Sequence, residues 1–178
     1  MTYLLRRIFK SQATGAATLR ELLQTMFVSE ILCTEGTLWI VSPWISNVVL
    51  IDNRSGNFDS INPEWGRREI RLSEVIGALM SRGAHVVVVT RPIETNESFI
   101  GAINEQADRL SLRGQLTVLL RDALHTKGIL LSRSLLLGSM NLTYGGLEIH
   151  DEFIEFCIDP EDVAMTRLEF SVYLETFR

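Results

Sequence analysis

The run at residues 84–90, AHVVVVT, limits the folds open to this chain more than any other stretch. Four consecutive valines without polar alternation are typical of a strand buried on both faces of a parallel sheet. Such a sheet needs covering helices, and helical periodicity is present before the run, at residues 16–32 and 69–82, and after it, at 99–114. The pattern predicts an α/β protein.

Shorter apolar segments predict the remaining elements: strands in TLWIVSPWI from residue 37, QLTVLLR from residue 115 and EFIEFCI from residue 152, a hairpin within 125–141 and a last helix over 159–177. Residues 46–68 lack periodicity and are expected to be a long irregular loop. The expected sheet is mixed but mostly parallel, and helices flank it in an α/β/α sandwich.

Composition narrows the class of protein. The 178 residues suit one domain, and the net charge of -5 excludes a uniformly basic nucleic-acid surface, although not a local basic groove. No apolar stretch approaches the ~20 residues that cross a bilayer, and charged residues interrupt the amino-terminal apolar run. Cys33 and Cys157 do not form a metal-type pair. We therefore expect a cytoplasmic protein that has no membrane segment.

The hairpin segment HTKGILLSRSLLLGSMN places polar residues at both ends of an apolar run. If Ser132–Ser134 form the tight turn, Lys127 lies opposite Ser139 and His125 lies opposite Asn141. Because side chains alternate faces along a strand, these four polar residues then share one face. A shift of one residue in the pairing would separate them.

The four residue types suit the chemistry of a phosphate. A neutral His can act as a nucleophile or as a general acid and base near pH 7. Lys offers positive charge to phosphate oxygens, and Ser and Asn add hydrogen bonds to developing charge. None of the four is a carboxylate, which favours an anion over a metal, so we expect no metal and no cofactor. The alternative for His125 is a hydrogen-bonded core histidine.

These residues resemble a known signature. HTK followed by GSMN is similar to the HxKxxxxDxxxxxxGSxN motif of the phospholipase D superfamily, and five of its six fixed residue types are present. Ser132 stands in place of the motif Asp. In the assumed register it lies in the turn, roughly 23 Å from His125 at ~3.3 Å per strand residue, so its loss bears on the turn more than on chemistry.

The resemblance implies a fold and an activity. One phospholipase D-like domain would span residues 1–178, with 1–34 as a helical extension and Glu152 positioning the nucleophilic His125. The implied activity is a metal-independent phosphodiesterase that forms a phosphohistidine. Since HTK is the only HxK in the chain, the second histidine is expected from the other subunit of a homodimer.

Nucleic acid, DNA more than RNA, is the expected substrate, since short members with one motif are typically nucleases. A bacterial DNA-processing or phage-defence system, with further partner proteins, is the implied setting. Two alternatives stay open. The protein is a non-catalytic subunit that binds nucleic acid or serves as a scaffold, or it is a lipid phosphodiesterase.

Four further residues are candidates for substrate binding. Ser42 and Trp44 follow a predicted strand, where α/β sheets commonly bind ligands, and Trp44 either stacks on a base or packs under the loop. Gly138 and Thr143 lie next to the motif Ser and Asn. The arginines at positions 54, 67, 68 and 71 are interpreted as a solvated face in preference to a track for a phosphate backbone.

Overall fold

The computed structural model describes residues 4–11 and 13–175. Within these ranges the elements are, in order, β1 (Leu5–Lys10), α1 (Ala16–Leu32), β2 (Thr37–Val41), β3 (Val49–Asp52), β4 (Glu69–Arg71), α2 (Leu72–Ser81), β5 (His85–Thr90), α3 (Glu94–Arg109), β6 (Leu116–Leu120), β7 (Gly128–Leu130), β8 (Leu135–Gly138), β9 (Glu152–Cys157) and α4 (Pro160–Glu175). This alternation of strands and helices confirms the α/β class.

Seven of the described strands form one sheet, in the order β1-β9-β8-β7-β2-β5-β6. The pairs β2–β5 and β5–β6 are parallel, and the other four adjacent pairs are antiparallel. The mixed sheet is as predicted, but the expectation that it is mostly parallel was wrong. The strands β7, β8 and β9 follow one another without an α-helix between them, so the chain reverses direction at each step.

The valine run explains why the sheet has helices on both faces. Val86 and Val88 pack in the apolar layer that contains α1, α2 and α3, whereas Val87 and Val89 pack in the layer that contains α4. Since both faces of β5 are buried, the strand needs no polar alternation. The predicted three-layer sandwich is confirmed.

The expected long loop at residues 46–68 contains more structure than predicted. Its strand β3 pairs with β4 in a second, two-stranded antiparallel sheet. Strand β4 uses residues 69–71, which the helical periodicity had assigned to the second helix, and α2 therefore begins at Leu72. Three residues are too few to show the period of a strand, so the sequence pattern missed them.

The bounds of two further helices differ from the prediction. Helix α3 was expected over 99–114 and spans Glu94–Arg109. Its start was missed because its first turn is acidic and not apolar. Acidic side chains stabilise a helix amino terminus electrostatically but leave no hydrophobic periodicity. Helix α4 was expected over 159–177 and spans Pro160–Glu175. Residues 176 and 177 lie outside the described residues.

The amino-terminal segment 1–34 was expected to be a helical extension. It contains α1, but its strand β1 pairs with β9 as an edge strand of the main sheet, so the helical expectation was wrong there. Ile8 and Lys10 are buried while Phe9 between them is exposed, which is the alternation of a half-buried strand. Residues 1–3 and 12 lie outside the described residues.

The β7–β8 hairpin has a two-residue turn instead of the assumed three-residue turn. The Leu131 N–H donates to the Ser134 carbonyl at 2.9 Å, so only Ser132 and Arg133 lie between the paired residues. Leu130 consequently lies opposite Leu135, and the register assumed from the sequence was wrong by one residue. The sequence agrees with this shift in register. Five residues separate Ser132 from Gly138, whereas six separate the Asp from the Gly in the signature.

A carboxylate from α1 holds the hairpin turn. The Glu30 side chain, only 6% exposed, accepts hydrogen bonds from the Ser132 hydroxyl and from the Ser132 N–H at 3.0 Å. The same hydroxyl accepts from the Glu35 N–H at 2.9 Å. A carboxylate therefore lies at the turn even though the motif Asp is missing.

Restoring the motif Asp should destabilise the fold. In the Ser132→Asp variant a second carboxylate would lie beside Glu30, and the hydrogen bonds of the hydroxyl would be lost. We expect the free energy of unfolding, measured by urea denaturation at pH 7, to fall by roughly 1–3 kcal/mol. The double variant Glu30→Ser with Ser132→Asp exchanges the acid between the two positions and should recover most of that loss. A single variant as stable as the wild type would contradict the account.

Candidate active site

The five predicted catalytic residues lie at one edge of the main sheet. His125 and Lys127 precede β7, Ser139 and Asn141 follow β8, and Glu152 begins β9. This is also the edge at which the parallel strands β2, β5 and β6 end. Ligands of α/β sheets commonly bind outside the carboxyl ends of the strands. The sheet order places these residues there despite the shifted hairpin register.

Lys127, Ser139 and Glu152 form one polar cluster. The Ser139 hydroxyl donates to the Glu152 carboxylate and accepts from the Phe153 N–H at 3.0 Å. Partial burial lowers the pKa of Lys127 from its usual value, and the Glu152 carboxylate raises it in part. The Glu152 carboxylate thus offsets part of the effect that burial has on the pKa of Lys127.

Glu152 does not contact the residue that the sequence predicted. Among residues 4–11 and 13–175 its carboxylate is hydrogen-bonded to Ser139 and not to His125. The His125 carbonyl instead accepts from the Lys127 ammonium at 2.7 Å. The His125 side chain is exposed and lines an open cavity of about 440 Å³ beside Tyr173 of α4. Its ring is therefore accessible to a substrate.

Asn141 lines a second cavity, of about 460 Å³, together with Trp44, Thr143 and His150. Its side-chain oxygen is buried and has no hydrogen-bond partner within the described part of the chain. An unsatisfied buried acceptor costs roughly 1–3 kcal/mol and needs an explanation in a native structure. The Thr143 hydroxyl accepts from the Gly146 N–H at 3.2 Å.

Ser42 joins two loops of the site. Its hydroxyl donates to the Trp44 carbonyl at 2.7 Å and accepts from the Leu142 N–H at 3.1 Å, and the residue is 2% exposed. The loop after β2 is also bridged to the loop after β8, because the Ser46 N–H donates to the Leu142 carbonyl at 2.9 Å. Since its hydroxyl is used within the fold, Ser42 positions Trp44 and Asn141.

Asn96 and Thr90 complete this support, and the sequence analysis missed both. The fully buried Asn96 amide donates to the Pro43 carbonyl at 2.9 Å and accepts from the Ile45 N–H at 2.9 Å. Thr90 donates to the Ser42 carbonyl at 2.8 Å. The one available indication was that Asn96 lies three positions before the predicted start of the third helix, in a segment where Asn often caps or turns the backbone.

Gly138 provides a close approach between β8 and β9. A Cβ atom at this position would lie 2.1 Å from the Phe153 carbonyl oxygen and 3.0 Å from the Ile154 Cα. Any side chain would therefore push the strands apart and move Ser139 away from Glu152. Its predicted contact with substrate stays a prediction.

The described residues, 4–11 and 13–175, contain no cluster of three or more His, Cys, Asp or Glu side chains able to hold a metal ion. None of their helices combines the length and apolarity that a bilayer span demands.

No protein-family model and no curated protein matches the sequence. Solved structures do match. NucT from Helicobacter pylori has a TM-score of 0.62 at 14% identity over 97% of both chains. Nuc from Salmonella typhimurium, a phospholipase D family member, has a TM-score of 0.58 at 14% identity over 96% of this chain and 91% of its own.

TrmBL2, an archaeal chromatin protein whose structure shows a mode of DNA binding, has a TM-score of 0.55 at 11% identity. The match covers 96% of this chain and 52% of TrmBL2. Taken with the two preceding matches, it shows that the chain shares the fold of these structures, among them the phospholipase D family member Nuc.

Replacing Glu152 with Gln should lower the pKa of Lys127 further, because the burial that lowers it remains while the opposing charge is lost. The chain has only two lysines, Lys10 and Lys127, so NMR titration of their side-chain resonances resolves this shift. Glu155→Gln is the control, since Glu155 pairs with Arg7 instead. A Lys127 pKa unchanged by Glu152→Gln would contradict the cluster.

Proposed function

We propose that this protein is a metal-independent phosphodiesterase that cleaves nucleic acid, DNA in preference to RNA. The observation that supports it most is that the described fold brings His125, Lys127, Ser139, Asn141 and Glu152 to the same edge of the main sheet. The similarity of the fold to Nuc and NucT along nearly the whole chain adds support.

In the proposed reaction a nitrogen of His125 attacks the phosphorus. A phosphorus–nitrogen bond forms, the bond to one ester oxygen breaks, and that leaving oxygen takes a proton from a second histidine. Water then attacks the phosphorus and gives its proton back to the second histidine, and the phosphorus–nitrogen bond breaks. Lys127 and Asn141 offset the charge on the other phosphate oxygens.

The second histidine is proposed to be His125 of a second copy. HTK is the only His-x-Lys sequence in the chain, and a two-fold axis repeats one surface patch on both subunits. The exposure of the His125 side chain supports this arrangement, because a buried ring would not meet its counterpart. A bacterial DNA-processing or phage-defence system with partner proteins is the setting we propose.

A second candidate is a non-catalytic protein that binds DNA. The similarity to TrmBL2 favours it, as does the Lys127 ammonium, which donates a hydrogen bond to the His125 carbonyl within the fold. A lipid phosphodiesterase is the remaining alternative, and it predicts headgroup release from phosphatidylcholine vesicles without DNA cleavage.

The first test is cleavage of DNA in excess chelator. We expect wild-type cleavage to persist and His125→Ala to reduce the rate by at least on the order of 10³-fold, because the nucleophile is lost. His85→Gln is the matched control, since His85 is hydrogen-bonded to Thr117 at 2.9 Å in the sheet and Gln can keep that bond. Strict dependence on added metal, or full activity of His125→Ala, would refute the proposal.

The shared site has its own test. Co-expression of wild-type and His125→Ala chains with different affinity tags allows the mixed dimer to be purified. If one reaction needs both His125 side chains, the mixed dimer should have almost no activity. A mixed dimer with about half of the wild-type activity would mean that each subunit works alone. Purification of monomer alone, with activity intact, would equally exclude the shared site.

A further inference from the structure

The cavity beside Asn141 has an exposed aromatic wall. Trp44 is 40% exposed, whereas Trp39 and Trp65 are 2% and 3% exposed. Trp44 lines the 460 Å³ cavity with Thr95 and His150, and this volume is typical of small-ligand pockets. Of the three tryptophans, Trp44 is therefore the one whose indole is exposed in a cavity and open to a ligand.

The Trp44 side chain belongs to a rigid loop. The buried hydrogen bonds of Ser42, Thr90 and Asn96 hold the backbone from Pro43 to Ile45. The guanidinium of Arg91 lies 5.5 Å from the centre of the Trp44 ring. Preorganised aromatic surfaces bind with little loss of conformational freedom.

The charges of the chain favour stacking over phosphate contacts as the source of affinity. Duplex DNA is bound mainly by cations that neutralise phosphates. Here many arginines are already paired with carboxylates of the same chain, including Arg7, Arg20, Arg54, Arg68 and Arg133, and the net charge is -5. Arg91 makes no ion pair among the described residues, so its charge remains for a phosphate next to a stacked base.

We infer that this cavity binds one unpaired nucleobase beside the phosphate that is cleaved, so that the substrate is single-stranded nucleic acid. The inference rests on the proposed function, because Asn141 lines the cavity and belongs to the proposed phosphate site. A base inside a duplex is stacked on its neighbours and would have to leave the helix to reach Trp44. Stacking on an indole tolerates every base, so no sequence preference is expected.

The test measures binding in the His125→Ala background, in which cleavage does not interfere. The probes are a short oligodeoxythymidylate, the same strand annealed to its complement, and a strand of equal length made only of abasic residues. The single strand should bind most tightly. Trp44→Ala should weaken that binding about 5- to 150-fold and leave binding of the abasic strand unchanged.

Two further variants separate stacking from a structural effect. Trp44→Phe keeps a ring, so it should retain most of the affinity while losing the fluorescence quenching that the oligonucleotide causes. Tyr144→Ala is the matched control, because Tyr144 is 66% exposed and lines a different cavity. With Tyr144→Ala added, the affinity for the single strand should equal that of the His125→Ala protein.

The outcomes also separate this inference from the proposed function. Two results would overturn the inference even if the wild type cleaves DNA. One is duplex binding as tight as single-strand binding. The other is a Trp44→Ala variant whose affinity for the abasic strand falls as much as its affinity for the single strand with bases. Binding that depends on Trp44, without cleavage of any DNA by the wild type, would refute the proposed function, and only the binding of an unpaired base in this cavity would stand. Absence of binding to every probe would overturn the inference, whereas cleavage of DNA by the wild type in excess chelator decides the proposed function.

Discussion

The hydrogen bonds of the Ser42 hydroxyl connect two strand ends that are not neighbours in the sheet. β2 and β8 lie on either side of β7, and the loops that follow them meet where β7 begins. Lys127 directly precedes β7 and lines the narrow space between these loops with Ser42 and Leu142. Because Asn96 and Thr90 complete the buried network, the positions of Trp44 and of the loop that carries Asn141 depend on it.

Elements with strong periodicity were predictable from the sequence. The helix at residues 16–32 and the valine strand follow from hydrophobic spacing alone. β1 was missed because charged residues obscure its alternation, and β4 because it has three residues. The register of the hairpin could not be predicted, because it depends on the length of the turn. The two-residue turn is accompanied by the hydrogen bond between Ser132 and Glu30, which are far apart in sequence.

The sequence named the residues of the candidate site, whose catalytic roles stay predictions, but it did not show the contacts between them. Strand order brings the motif residues to one edge, and that order follows from the fold more than from the assumed hairpin pairing. The partner of Glu152 is Ser139 because Gly138 lets β8 approach β9 closely, a detail of packing that no spacing rule shows. Asn96 was overlooked because its hydrogen bonds join the start of α3 to the loop after β2 and to Thr90 of β5, a proximity that only the fold creates.

The central claim is that His125 is a nucleophile toward a phosphodiester. The most direct measurement is a search for the covalent intermediate with an end-labelled oligonucleotide. The reaction is slowed at mildly acidic pH and denatured in alkali, where phosphorus–nitrogen bonds to histidine persist. Peptide mapping by mass spectrometry then locates the label. The account predicts label on the peptide containing His125 and none in Lys127→Met. Label on another residue, or cleavage without any covalent species, would contradict it.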